Sequence, residues 1–314
     1  MLNPLRVLAP RSSERRLISA IAVAVAVIAA LALPAGTPSA QQATLHLNPA
    51  IEKLAAGKPI FGFQTSDLSI ANARRVARLN TDFIYVDLEH SPMDLPGLAV
   101  FVAAMNDKAL TLAKGNAQPR SALIARFAPS GSDMAGWVVK QGLDIGLMGF
   151  MFNSIDTKEE ALFAVRNMRY PPWKGRAYTG PIGIRGWSPT GALWAWGIGS
   201  DEYRRRADLW PINPEGDLLA FLAIETVEAV NNIDEIAAVP GISILHAAAG
   251  GDLSSSLGVP NNTPEVEAGR QKILKACLTH KVLCSIHVTG KPAIDQRLKE
   301  GWKVIVTESG TPNE

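Results

Sequence analysis

FIYVDLEHSP, residues 83–92, is the stretch on which the fold turns. Phe83, Ile84, Tyr85 and Val86 form an unbroken apolar run, and the run closes on Asp87, Glu89 and His90. A strand with one wet face would alternate. A continuous run marks a strand covered on both faces, as in a parallel sheet under helices. Ionisable groups at the end of such a run are costly to desolvate unless they find partners, so they point to a site as well as to a strand.

The same pattern recurs in both directions along the chain. Strands are expected at Ile60–Gln64, Phe83–Asp87, Ala122–Phe127, Ile145–Phe150, Ala220–Glu225, Ile242–Ala247, Val282–Val288 and Lys303–Thr307. Helical stretches fall between them, among them Asp67–Leu79, Leu95–Met105, Ser132–Gln141, Lys158–Met168, Val227–Ala237, Pro264–Leu278 and Ala293–Glu300. Eight strands alternating with helices predict an α/β chain folded as a (β/α)8 TIM barrel, a single domain over 41–314. A doubly wound open sheet is the alternative, but Gln64-Thr65-Ser66-Asp67 after the first strand is no phosphate-binding glycine turn. Only Glu308–Glu314 follow the eighth strand, so the expected barrel lacks its last helix.

Residues 1–40 read differently. Arg15 and Arg16 precede an apolar run from Leu17 to Leu33, and Pro34, Gly36 and small residues lead to Ala40. This is the pattern of a secretory signal cut after Ala40, or of an uncleaved anchor through residues 17–33. Either places the body outside the cytoplasm, in the periplasm or secreted. The leader also distorts the charge balance. Its four Arg and one Glu leave the rest with 27 basic and 28 acidic residues, a net charge of −1, which gives no reason to expect nucleic acid as a partner. An oxidising compartment permits a bridge between Cys277 and Cys284. Their places in a helical and a strand pattern favour two small core residues instead.

Chemistry in a barrel gathers at the C-terminal strand ends. Those ends carry Asp87, Glu89 and His90, then Arg126, Glu225, and Gly250-Gly251-Asp252. Glu225 and Asp252 are oxygen ligands suited to Mg²⁺ or Mn²⁺, with a chelating 2-oxo acid completing the shell. Helix and turn capping are the structural readings of the same two residues. Arg126 is placed to hold a carboxylate or enolate oxygen, or to pair with Asp87 or Glu89. His90, beside two acids, is a candidate general base. His246 and His287 read as structural, His46 and His280 as surface residues. No Lys lies inside strands two to seven, which argues against a Schiff base. The segment Pro171–Gly216 holds Trp173, Trp187, Trp194, Trp196 and Trp210, and reads either as a packed flap over a barrel end or as a lid or subunit contact at the site.

FIYVDLEHSP (83–92), LIARF (123–127), RNMRYPP (166–172), GIRGWSP (183–189), AIETVEAVNNIDEIAAVPGI (223–242) and GDLSSSLGVPNNTPEV (251–266) together resemble the HpcH/HpaI aldolase/citrate lyase family. The resemblance implies a metal-dependent carbon–carbon lyase that cleaves a 4-hydroxy-2-oxo acid to pyruvate and an aldehyde. It implies Glu225 and Asp252 as ligands of Mg²⁺ or Mn²⁺, with Arg126, Gly250 and Gly251 holding the substrate. His90 would take the proton of the substrate hydroxyl, with Asp87 and Glu89 beside it. The same chemistry would serve oxaloacetate decarboxylation or malyl-ester cleavage, and a non-catalytic exported protein binding a metal–oxoacid complex is the other alternative. The sequence departs from the family's pattern at several points. Lys140 stands where an acid usually helps the histidine, Gly149-Phe150 replaces a proline after strand four, Trp173–Pro181 is inserted, and the final helix that builds homo-oligomers is missing.

Overall fold

Eight parallel strands close on themselves in chain order: β1 Ile60–Thr65, β2 Phe83–Leu88, β3 Ala122–Ser130, β4 Gly149–Asn153, β5 Leu219–Ile224, β6 Ile244–Ala247, β7 Leu283–His287 and β8 Val304–Thr307. The structure is a computed structural model and describes residues 46–247 and 251–312. The leader and Gly250 lie outside the described residues. The helices are α1 Pro49–Ala55, α2 Ile70–Val76, α3 Leu95–Ala104, α4 Lys108–Lys114, α5 Gly136–Ile145, α6 Lys158–Met168, α7 Thr190–Trp196, α8 Ser200–Arg206, α9 Val227–Asn231, α10 Ile233–Ala237, α11 Gly251–Leu257, α12 Pro264–His280 and α13 Lys291–Glu300. Among the described residues none follows β8, and no single helix is long and apolar enough to cross a membrane.

Register decides what the barrel contains. Gly62 pairs with Phe83, Asp87 with Arg126, Met151 with Phe221, Ala223 with His246, and His246 with Ser285. Phe83 and Phe221 come from non-adjacent strands, yet their ring centroids are 5.8 Å apart, so this face is the interior. Gly62 is required there, because a Cβ on it would lie 2.1 Å from the Phe83 ring. Apart from the His246–Ser285 pair the interior is apolar below, and it is polar at the C-terminal rim, where Gln64, Asp87, Arg126 and Glu225 lie.

Local chemistry sets the helix ends. Thr157 and Glu160 form a capping box at α6, and Asp94 caps α3 through Gly97 N at 2.8 Å. Such caps contribute about 1 kcal/mol each. The strand expected at Ile145–Phe150 begins later, at Gly149. Ile145 completes α5, and Gly146, at φ 122°, turns the chain out of the helix. The single helix expected over Val227–Ala237 breaks at Asn232 into α9 and α10.

Two further expectations are corrected. Cys277, near the end of α12, and Cys284, in β7, are buried as expected, but they are joined by a disulfide. His46 is not a surface residue. Its Nδ1 lies 3.0 Å from Asp217, beneath the barrel. That floor is a polar knot. Asp217 also takes Asn48 N at 3.2 Å and Arg206 Nη1 at 3.0 Å, while Asn48 Nδ2 reaches the Asp217 and Met148 carbonyls.

The Trp-rich segment belongs to the flank and floor, not to the rim. Trp196 donates to Gly146 O at the end of α5, Leu209 bridges to Leu218 just below β5, and Ser243 Oγ donates to Trp210 O. The segment packs on the barrel as a flap, and it is not a lid over the rim.

Candidate active site at the barrel rim

Asp87 ends β2 and is 1% exposed, directly beside Arg126 on β3. Arg126 Nη2 donates to Asp87 Oδ2 at 2.7 Å and Nε to Oδ1 at 3.3 Å, while Nη1 meets Glu89 Oε2 at 2.9 Å. The arginine thus forms both of the ion pairs considered from the sequence. Tyr85 supports it from below, with the guanidinium 5.4 Å from the ring centroid. Burial pushes the Asp87 carboxyl up, but Arg126 and His90 outweigh it and hold the group down at about 2.

Asp87 also shapes the turn that follows. Its Oδ1 accepts Glu89 N at 3.1 Å and His90 N at 3.3 Å, and Gln64 Nε2 donates to Oδ2 at 2.7 Å. This turn places His90 Nδ1 3.0 Å from Asp87 Oδ2 and 2.9 Å from Arg126 Nη2. Nδ1 either donates to the acid or accepts from the arginine, and cannot do both. The rest of the imidazole faces outward, and the side chain is 63% exposed.

Glu225 closes β5 across the mouth and is 2% exposed. It does not cap α9. Thr226 does that, accepting Ala229 N at 2.9 Å, which leaves Glu225 for the interior. One carboxylate oxygen, Oε2, accepts Ser154 N at 2.9 Å and Ser154 Oγ at 3.1 Å. Among the described residues Oε1 accepts nothing. Burial raises the Glu225 carboxyl first, and Asp252 and Glu89 raise it further, against Ser154 and Arg126. Asp252, in the first turn of α11, is therefore within electrostatic reach of Glu225. It has no hydrogen bond or ion pair among the described residues. Glu89 is likewise raised, mainly by burial, with Asp87 and Asp252 adding to it.

Two groups could hold a cation. Asp87, Glu89 and His90 can bring one ligand atom each within 4.8 Å of one another. Two of those carboxylates already face Arg126, and a second positive charge there would be repelled. Among the described residues neither Glu225 nor Asp252 forms an ion pair, and Arg126 reaches Glu225 only at longer range. At this rim four acids surround one arginine, so an oxygen-liking divalent ion fits the residues present.

Sequence reading missed Gln64, Tyr85 and Ser154. Gln64 lies near the end of β1, opposite Tyr85, so the strand-end rule applied to the first strand would have found it. Ser154 follows the last residue of β4 at φ 44°, a left-handed conformation uncommon for a residue with a side chain. Lys140 lies on α5 and pairs with Asp144, not with His90. His246 is buried against Ser285 at 2.9 Å. Burial first, then Arg126 and His287, push it down to about 3, so it is neutral. Gly251 opens α11, and a Cβ there would meet nothing within 4 Å.

The sequence profile of the HpcH/HpaI aldolase/citrate lyase family matches residues 66–306. A hydroxypyruvate/pyruvate aldolase of Paraburkholderia phytofirmans is 27% identical over 260 residues, 82% of this chain and 90% of that protein. A 2-keto-3-deoxy-L-rhamnonate aldolase of Salmonella gallinarum is 28% identical over 254 residues, 81% of this chain and 82% of that one. Among solved structures, an HpcH/HpaI aldolase/citrate lyase family protein of Burkholderia cenocepacia superposes with a TM-score of 0.67 at 26% identity, covering 83% of this chain and 92% of the other.

Proposed function

Because this chain belongs to the HpcH/HpaI aldolase/citrate lyase family, a family of carbon–carbon lyases, we propose that it cleaves a 4-hydroxy-2-oxo acid to pyruvate and an aldehyde with a bound Mg²⁺ or Mn²⁺ ion. One observation carries the reading. A fixed guanidinium, Arg126, and a buried carboxylate with an open oxygen, Glu225, belong to one electrostatic cluster at the mouth of the barrel.

Glu225 and Asp252 would hold the cation. When bound, such an ion supplies Lewis-acid chemistry, drawing electron density from the keto oxygen of a 2-oxo acid. Arg126 contributes a second positive charge that needs no reorganisation, because Asp87 and Tyr85 already fix it. A substrate carboxylate reaches its Nη1 by taking the place of Glu89, the more exposed of its two acid partners. Asp87 stays ionised beside Arg126 and favours the His90 tautomer that donates from Nδ1. That tautomer leaves Nε2 as the proton acceptor for the substrate hydroxyl. Gly251, with open space around its Cα, leaves room for the substrate's acid end.

The test is pyruvate release from a series of 4-hydroxy-2-oxo acids after EDTA treatment, then after adding back Mg²⁺ or Mn²⁺. Activity should vanish with the chelator and return with the metal. A folded sample that releases no pyruvate with any divalent ion sinks the proposal. Export is part of the same reading, supported by the Cys277–Cys284 bridge, which suits an oxidising compartment. Cell fractionation and a mature N-terminus at Gln41 are the expected results.

A further inference from the structure

A second cleft, of about 470 Å³, opens in the Trp-rich segment toward the floor of the barrel, away from Asp87, Arg126 and Glu225. Its size falls within the roughly 300–1,000 Å³ of small-molecule sites. The inserted stretch Trp173–Pro181 forms one wall, and α8 with the residues after it forms the other.

The insertion is pinned rather than loose. Arg169 Nη1 donates to Thr179 O at 2.7 Å and to Pro181 O at 3.0 Å, Thr179 Oγ1 donates to Ile212 O at 3.1 Å, and Tyr178 accepts Gly183 N at 2.8 Å. This fixes Trp173 opposite Trp187 with the Arg204 guanidinium between them, its central carbon 3.8 Å from one ring centroid and 3.6 Å from the other. Ring faces hold a guanidinium by cation–π attraction but use none of its in-plane N–H groups. Among the described residues no carboxylate pairs with Arg204 or with Arg176 on the opposite wall. Arg205 reaches Glu215 only at 3.7 Å, and Arg169 and Asp208 satisfy each other. Behind the lining residue Tyr170 lies Arg185, 2% exposed, whose Nε and Nη1 have no partner. Its one acid, Asp144, is shared with Lys140. The cleft therefore carries an excess of positive charge, with its best donor fork held ready and unused.

We propose that this cleft is a second ligand site, distinct from the rim, that takes a small organic anion by its carboxylate or phosphate group. Arg204 grips the oxyanion by two parallel hydrogen bonds, Arg176 adds charge from the opposite wall, and Trp173 covers the ligand's carbon skeleton.

Calorimetry and tryptophan fluorescence on the full chain, titrated with succinate and with inorganic phosphate, test this. Saturable binding of at least one probe is expected, and which one binds distinguishes a dicarboxylate from a phosphate ligand. Arg204→Met should weaken it tenfold or more, and Arg176→Gln, on the exposed loop, three- to fivefold. If Arg204→Met lowers the melting temperature, Arg176→Gln decides. Binding of neither probe, or binding that both substitutions leave at wild-type strength and so belongs to the rim, overturns the proposal.

Discussion

Arg126 lies against Asp87 at the C-terminal rim of the barrel, and Arg206 lies against Asp217 at its floor. The pairs use the same two side chains, and both aspartates are buried. Their surroundings differ. Asp217 gives one oxygen to His46 and Asn48 and the other to Arg206, so the floor is closed. At the rim, among the described residues, Glu225 keeps an oxygen without a partner, the buried Tyr85 hydroxyl has none, and His90 turns its outer edge to solvent. A closed knot fixes a fold. An open one leaves valences for something that is not protein. The cost of breaking each should accordingly appear in different measurements.

Glu225→Gln should have the largest effect. It removes the ligand charge while keeping the Ser154 contact in shape, so kcat/KM should fall about a thousandfold, roughly 4 kcal/mol. The melting temperature should hold or rise, because a buried carboxyl raised by desolvation is lost. A drop in stability with activity per folded molecule retained would mean that the rim is as structural as the floor. Asp217→Ala should do the reverse. It strands His46, Asn48 and Arg206, and urea denaturation should show about 3 kcal/mol lost, as for a broken buried pair. Turnover per folded molecule should be unchanged.

Acid sharpens the comparison next. Asp87 is held at about 2 when folded, against about 3.9 unfolded. A carboxyl lowered by folding stabilises the protein above its unfolded value, and that stability is lost as the pH falls through the folded one. On the order of 2 kcal/mol should therefore disappear between about pH 5 and pH 2. In Asp87→Asn this part is already gone. Its stability gap to the wild type should close over that range, and a constant gap would show that Asp87 does not titrate with folding.

The two ends were not equally legible in the sequence. Apolar runs ending in Asp87, Arg126 and Glu225 announced both the strands and the rim, because a charge that ends a buried strand needs a reason to be there. The floor gave no such signal. Asn48 and Asp217 meet across 169 residues, and His46 looked like a surface residue because nothing beside it in sequence explains it. The bridge between Cys277 and Cys284 is hard to read for a related cause. A helix–strand pair reads as two core positions, and only the turn between α12 and β7 brings the sulfurs together. The helix cap considered for Glu225 is supplied instead by the Thr226 hydroxyl, which accepts Ala229 N and frees the glutamate for the interior.

Ser154 supports the smallest test and the finest one. It has a left-handed backbone at φ 44°, and in that conformation both its N–H and its hydroxyl reach one oxygen of Glu225. If the rim is built to present the other oxygen to a cation, removing a donor should loosen the cation and little else. Ser154→Ala should weaken Mn²⁺ binding about tenfold, 1.4 kcal/mol, as expected for a partner of a ligand. Ser154→Gly loses the same hydroxyl but suits the left-handed turn better, so it should match Ser154→Ala in Mn²⁺ affinity and exceed it in melting temperature. If both variants bind Mn²⁺ as the wild type does, the Ser154 contact belongs with the floor's closed bonds, and the open oxygen of Glu225 loses its meaning.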